Sequence, residues 1–153
     1  VARSASVDAL RLLARRELSE RQVRERLQRL GHASQVIDEA IAPLKESRAI
    51  DDGRTAGAIA RAEAAARRGA RRARQRLAAA GIEAAVAERA VDEVFGEMDT
   101  DTMIAEALDR RLRGRDLGVG SKEFARIYRH LVGRGFESDR VLRVLSGRAR
   151  RSG

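Results

Sequence analysis

The sequence predicts an all-α protein, built as three tandem three-helix repeats in an elongated, curved array. Three observations carry that expectation. First, Leu27–Gln28–Arg29–Leu30–Gly31–His32 returns fifty residues on as Leu77–Ala78–Ala79–Ala80–Gly81–Ile82, and fifty-four further on as Leu131–Val132–Gly133–Arg134–Gly135–Phe136. Second, downstream positions keep register. Val36, Ile37, Ala40 and Ile41 map onto Val86, Ala87, Ala90 and Val91, then onto Arg140, Val141, Val144 and Leu145. Third, strand signals are nearly absent: there are three Phe, one Tyr and no Trp, while helix-forming Ala, Leu, Arg and Glu dominate. A unit this small leaves its apolar face partly uncovered, so neighbouring repeats must stack. The expected modules span residues 1–50, 51–98 and 99–146, followed by a basic, disordered tail over 147–153.

In the first repeat a helix is expected from Val7 to about Glu17, with Leu10, Leu13 and Ala14 on one side. Ser19 opens the second, with Gln22 at capping-box spacing and Val23, Leu27 and Leu30 as the apolar stripe. Gly31 should end it in a left-handed C′ conformation, bringing His32 against Leu27; the later copies place Ile82 against Leu77 and Phe136 against Leu131. The third helix starts at Ser34, and again at Ser138, both good N-caps, whereas Ala84 stands there in the middle copy. Pro43 should kink or shorten the helix it interrupts. Asp51–Asp52 caps the start of the second repeat, and the stretch Asp99 to Asp101 does the same for the third. Three glycines between Arg113 and Ser121 mark a flexible linker where the repeat spacing lengthens.

Chemistry is excluded more readily than it is found. The chain has no cysteine, so disulfides and thiolate chemistry are ruled out. Its two histidines, His32 and His130, stand in different repeats with no second ligand one helical turn away. His32 reads as a turn-packing residue. Asp99 and Asp101 read as caps, and Gly118–Val119–Gly120 follows no strand and so is no dinucleotide fingerprint. Neither an enzyme nor a bound cofactor or metal is expected. No apolar run approaches the ~20 residues that span a bilayer, and nothing resembles a signal peptide, which reads as a cytoplasmic chain with no membrane partner. Val1 is not an initiator Met, which points to residues upstream or to a non-standard start.

Charge is distributed unevenly. The chain carries 30 Arg but 2 Lys, as coding in a GC-rich genome also produces. Residues 1–109 are balanced, and the whole net charge of +9 falls in residues 110–153. Such segregation points to a polyanion or an acidic protein surface. Arg67, Arg68, Arg71, Arg72, Arg74 and Arg76 crowd the second helix of the middle repeat. Ala70, Ala73, Leu77 and Ala80 form its buried stripe and leave the arginines to solvent. In the third repeat Lys122, Arg126, Arg129 and Arg134 occupy the equivalent helix, followed by Arg140 and Arg143. The six arginines of the middle repeat together with Lys122, Arg126, Arg129 and Arg134 are the candidate binding residues; a solvated face in an arginine-rich protein is the competing explanation. The last helices of repeats one and two are acidic: between Glu83 and Asp101, Arg89 is the only basic residue. Phosphates would repel them, so neither enters a major groove as a recognition helix.

Four segments carry a family resemblance. The run Leu18–Ser19 to Gln22 and Leu27, then Leu30–Gly31, is similar to the start of the RecX family, bacterial regulators of the RecA recombinase. Ile50–Asp51–Asp52–Gly53–Arg54–Thr55–Ala56 resembles that family's apolar–Asp–Asp–x–Arg–Phe–Ala segment, departing at Thr55, where the family usually has Phe. Arg68–Gly69 leading to Leu77 and Ala80–Gly81–Ile82 resembles its central helix, and Arg134–Gly135–Phe136 with Val141 its C-terminal unit. The resemblance implies a non-enzymatic, monomeric protein. It would lie along the RecA–DNA filament, near its single-stranded DNA, and dampen strand exchange, ATP hydrolysis and stimulated repressor cleavage. A stand-alone basic nucleic-acid-binding module and a scaffold for an unrelated acidic protein are the alternatives.

Overall fold

The computed structural model describes residues 3–152. Among these the chain forms nine helices and no strand: α1 (Ala5–Arg15), α2 (Glu20–Arg29), α3 (Ser34–Glu46), α4 (Asp52–Ala65), α5 (Ala70–Ala79), α6 (Ala84–Phe95), α7 (Thr100–Leu112), α8 (Lys122–Gly133) and α9 (Ser138–Arg151). The architecture is all-α with three helices to each sequence repeat.

Compactness divides the chain differently from the expected modules at 1–50, 51–98 and 99–146. One unit comprises the chain up to Ile59 with Arg76–Ala90; the other comprises Ala60–Gln75 with the chain from Val91 onward. Each helix of the middle repeat is therefore shared between the two.

In the N-terminal unit α1, α2 and α3 close around Ala9, Leu18, Val23, Leu27, Ile37, Ile41 and Ile50, with Leu12, Leu13 and Leu44 against them. Full burial of a leucine such as Leu18 or Leu27 contributes roughly 1.5–3 kcal/mol. The face of α1 differs from expectation: Ala5, Asp8 and Ala9 are buried, Ala14 is exposed and Leu10 is 53% exposed. Asp8 explains the rotation. Its carboxylate lies 2.7 Å from Nε2 of His32 and 3.3 Å from Nε of Arg3, so a buried charge sits among donors. His32 is thus more than a turn filler. Pro43 does not shorten its helix, because α3 runs on to Glu46 and the amide that proline lacks would have bonded Glu39, an exposed residue of the last turns.

The C-terminal unit packs α7, α8 and α9 around Ile104, Leu108, Leu112, Leu117, Ile127, Leu131, Phe136, Val141 and Leu145. Two expectations are corrected there. The 147–153 segment is not a disordered tail: α9 continues through Arg151, because Ala149 is buried and Arg148 pairs with Asp109 at 2.6 Å. Gly153 lies outside the described residues. The segment between Arg113 and Ser121 does connect α7 to α8, but Leu117, 1% exposed, pins it to the core.

All three glycine stops have the expected geometry. Gly31, Gly81 and Gly135 have φ of 92°, 76° and 98°. The amide of the following residue donates back to the leucine carbonyl in each: His32 to Leu27, Ile82 to Leu77, Phe136 to Leu131. The cap assignments hold at Ser19, whose capping box with Gln22 is complete, and at Asp51 and Asp99. They fail at Ser34 and Ser138. Those residues are already the first of their helices, with Ala33 and Glu137 at the cap positions and no side-chain cap bond.

The corner between the first two helices of a repeat meets the glycine stop of the following repeat, and this joint occurs once in each unit. In the N-terminal unit the Ser19 hydroxyl donates to the Ala80 carbonyl, and Arg21 Nη2 donates to that of Ala79 at 2.8 Å. In the C-terminal unit the corresponding Gly69 amide donates to the Arg134 carbonyl at 2.9 Å, and Arg71 Nη2 to that of Val132 at 2.6 Å. Glycine is required at position 69 because a Cβ there would lie 2.3 Å from the Gly135 carbonyl oxygen. Beside the first joint, Thr55 is 2% exposed and its hydroxyl donates to Glu17 Oε1 at 3.1 Å. A hydrogen bond therefore stands at the position the family usually fills with Phe.

A candidate polyanion-binding surface

The two arginine sets fare differently in the structure. Within the first, the expectation of a solvent-facing row is corrected at Arg68 and Arg72, both half-buried. Arg68 Nη1 lies 3.2 Å from Oε1 of Glu63, a carboxylate that is itself buried. Arg72 packs its backbone and Cβ against Gly135, close enough to exclude any side chain there. Arg71 is exposed but spends its Nη2 on the Val132 carbonyl. All three flank the joint, but in different roles: Arg71 supplies a donor to one of its carbonyls, Arg68 neutralises the buried Glu63, and Arg72 packs there with its Nε buried and unpartnered. Arg67, Arg74 and Arg76 are exposed, and Arg74 and Arg76 are engaged by other groups. Arg67 ends α4 with φ of 58°, a left-handed residue where glycine would be easier.

In the second set Lys122, Arg126 and Arg129 are exposed on α8. Arg134 is half-buried and donates to the carbonyls of Ala66 and Arg67. Arg140 pairs with Asp101 at 3.2 Å, and Arg143 is exposed.

The structure adds a cluster that the helix-face reading overlooked. A cleft of about 480 Å³ is lined by Arg110, Arg111, Arg113, Arg115, Glu123, Arg126 and Ile127. Its single acid, Glu123, is taken by Arg115 at 2.8 Å. A second cleft, about 280 Å³, is lined by Ala66, Arg67, Ala107, Arg110, Arg111, His130 and Arg134, with no acid at all. Arg110 and Arg111 line both clefts, so the two form one cationic surface within the C-terminal unit. The only sequence signal for it was the onset of positive charge at residue 110.

Helix geometry dictates this placement. Ile104, Leu108 and Leu112 occupy the buried stripe of α7 at four-residue spacing, which turns Arg110 and Arg111 outward. Arg113 follows in a left-handed conformation, φ 51°, and Arg115 is held by the Leu112 carbonyl at 3.0 Å. Burial, followed by the charges of Arg111 and Arg134, holds the His130 imidazole below its ordinary range. Uncompensated guanidinium groups around a neutral imidazole suit phosphate or carboxylate oxygens. Among the described residues no group of three or more His, Asp or Glu is placed to hold a metal ion. No described helix is long and apolar enough to cross a membrane.

Comparison with known proteins gives concordant findings. Residues 7–44 match the family model described as RecX, first three-helix domain. The regulatory protein RecX of Halorhodospira halophila is 33% identical over 134 residues, 87% of this chain and 81% of the relative. That of Chromohalobacter salexigens is 33% identical over 142 residues, covering 91% and 89%. Among solved structures, RecX from Lactobacillus salivarius superposes with a TM-score of 0.74 at 21% identity, covering 94% of this chain and 93% of that one. At that identity the structural likeness bears on the fold.

Proposed function

Because the chain belongs to the RecX family, we propose that it is a non-enzymatic negative modulator of the RecA recombinase. It binds along the RecA–DNA filament and dampens strand exchange, ATP hydrolysis and co-protease activity, as a cytoplasmic monomer without a cofactor. The observation that carries this reading is the extent of the similarity: one third of positions are identical to proteins named as regulators over about nine-tenths of the chain. Repeated modules support it, because several weak contacts along a periodic partner accumulate as avidity. The cationic clefts of the C-terminal unit suit the filament's single-stranded DNA or acidic protein surface.

The test is RecA ATPase and strand exchange on single-stranded DNA with the cognate recombinase. Substoichiometric protein should lower both, and no effect at stoichiometric excess would refute the reading. The five-arginine cleft gives independent support to a second reading, a stand-alone nucleic-acid-binding module. Co-sedimentation with preformed filaments, against bare DNA as control, separates the two. Binding to bare DNA that equals filament binding favours the second.

A further inference from the structure

Three elements of the C-terminal unit converge on the smaller cleft: Ala66 and Arg67 from the end of α4, Ala107, Arg110 and Arg111 from α7, and His130 and Arg134 from α8 and its stop. Arg134 is anchored through Nε and Nη2 to two backbone carbonyls, which orient the guanidinium without neutralising it. No acid lines the cleft, although Glu63 of α4, paired with Arg68, also exerts its charge on Arg134, and Glu106 of α7 is exposed one turn before Arg110; Asp109 of α7 pairs with Arg148 of α9. On α9, Arg140 is held by Asp101. Arg110 and Arg111 form no ion pair among the described residues. Two arginines in left-handed backbone, Arg67 and Arg113, line the cationic surface, one at each cleft.

We propose that this cleft is a proton-linked phosphate subsite, in which Arg67, Arg110, Arg111 and Arg134 receive one phosphate group and His130 takes up a proton as it binds. The inference rests on the reading above that this unit meets DNA, and the phosphate is a backbone phosphodiester of a single strand. Free di- or polyphosphate offers the same chemistry. Without a ligand, burial and the facing cations Arg111 and Arg134 keep the imidazole neutral. An anion among the same groups reverses the balance, because it stabilises imidazolium and adds one more donor to its own coordination. Binding therefore tightens as the pH falls. A midpoint raised by one pH unit corresponds to about tenfold tighter binding once the histidine is protonated.

The chain has two histidines, so imidazole NMR reads the site directly, with His32, held by Asp8 in the other unit, as internal control. The full chain is titrated between pH 5 and 8 alone, with a short oligothymidylate, whose bases do not titrate in this range, and with pyrophosphate. The His130 midpoint should rise on saturation by the oligonucleotide. Oligonucleotide affinity should be several-fold higher at pH 6 than at pH 8. His130→Gln should remove that pH difference, whereas Arg110→Gln with Arg111→Gln should weaken binding at both pH values and keep the difference. If pyrophosphate moves His130 and the oligonucleotide does not, the subsite stands and the DNA reading fails. If neither moves it, or if His130→Gln keeps the parent's pH dependence, the subsite is overturned.

Discussion

Glycines at two positions serve different physics, and substitution should separate them. Gly31 needs its φ of 92° but has open space where a Cβ would go. Gly31→Ala should therefore cost about 1 kcal/mol, the penalty of a left-handed alanine. Gly69 has no such dihedral requirement, yet a Cβ would meet the Gly135 carbonyl at 2.3 Å, backbone that has no rotamer to change. Gly69→Ala should cost more than Gly31→Ala in chemical denaturation. Position 32 gives a second test, because the other repeats place Ile82 and Phe136 there. His32→Ile makes the first repeat resemble the others but strips the buried Asp8 carboxylate of its closest partner. The loss should be about 1–3 kcal/mol despite the added apolar surface.

At the scale of elements, caps that look alike in sequence carry different loads. Ser19 and Ser121 both accept an amide bond at the start of a helix, from Gln22 and Phe124. Ser19 is also fully buried and donates to the Ala80 carbonyl across the joint, whereas Ser121 donates within its own loop to Gly118. Ser121→Ala should cost about 1 kcal/mol, the usual value of a cap. Ser19→Ala should cost about 2–3 kcal/mol, because a buried carbonyl also loses its donor. Comparable denaturation midpoints for the two variants would refute a joint that depends on this hydroxyl.

For the whole molecule, the segregated charge remains the main functional signal, but its address has moved. Changing Arg68, Arg71 and Arg72 together to Ala should lower the stability of the C-terminal unit, since all three touch the joint or its flanking carboxylate. Weaker filament binding in that variant would accompany a weakened fold. Arg110, Arg111 and Arg126 are exposed on the clefts and make no comparable internal bonds. Their replacement by Gln should preserve helicity by circular dichroism and flatten the slope of log affinity against log salt, by about 0.7 for each single-strand phosphate no longer neutralised. Stability should also vary with pH. His130 titrates below its ordinary value of 6.5 in the folded chain, so the unfolded chain binds more protons as the pH falls through that range. The associated stability is present above about pH 6.5 and disappears between there and the lower native midpoint. His130→Gln should remove that part of the slope.

The sequence alone determined the all-helical repeat, the three glycine stops and the caps at Ser19, Asp51 and Asp99. These depend on residues within about six positions of one another, whose geometry the local backbone enforces. Tertiary structure decided the rest. It grouped the middle repeat's helices between two units, continued α9 through Arg151, and drew Arg68, Arg71 and Arg72 into the packing at the joint. It also gathered Arg110 and Arg111 with Arg126, Arg134 and His130 from other helices. In each case the deciding interaction joins residues far apart in the chain, a buried carbonyl to its donor or an exposed arginine to another. Periodicity says which face of a helix turns outward; only the fold says which outward faces meet.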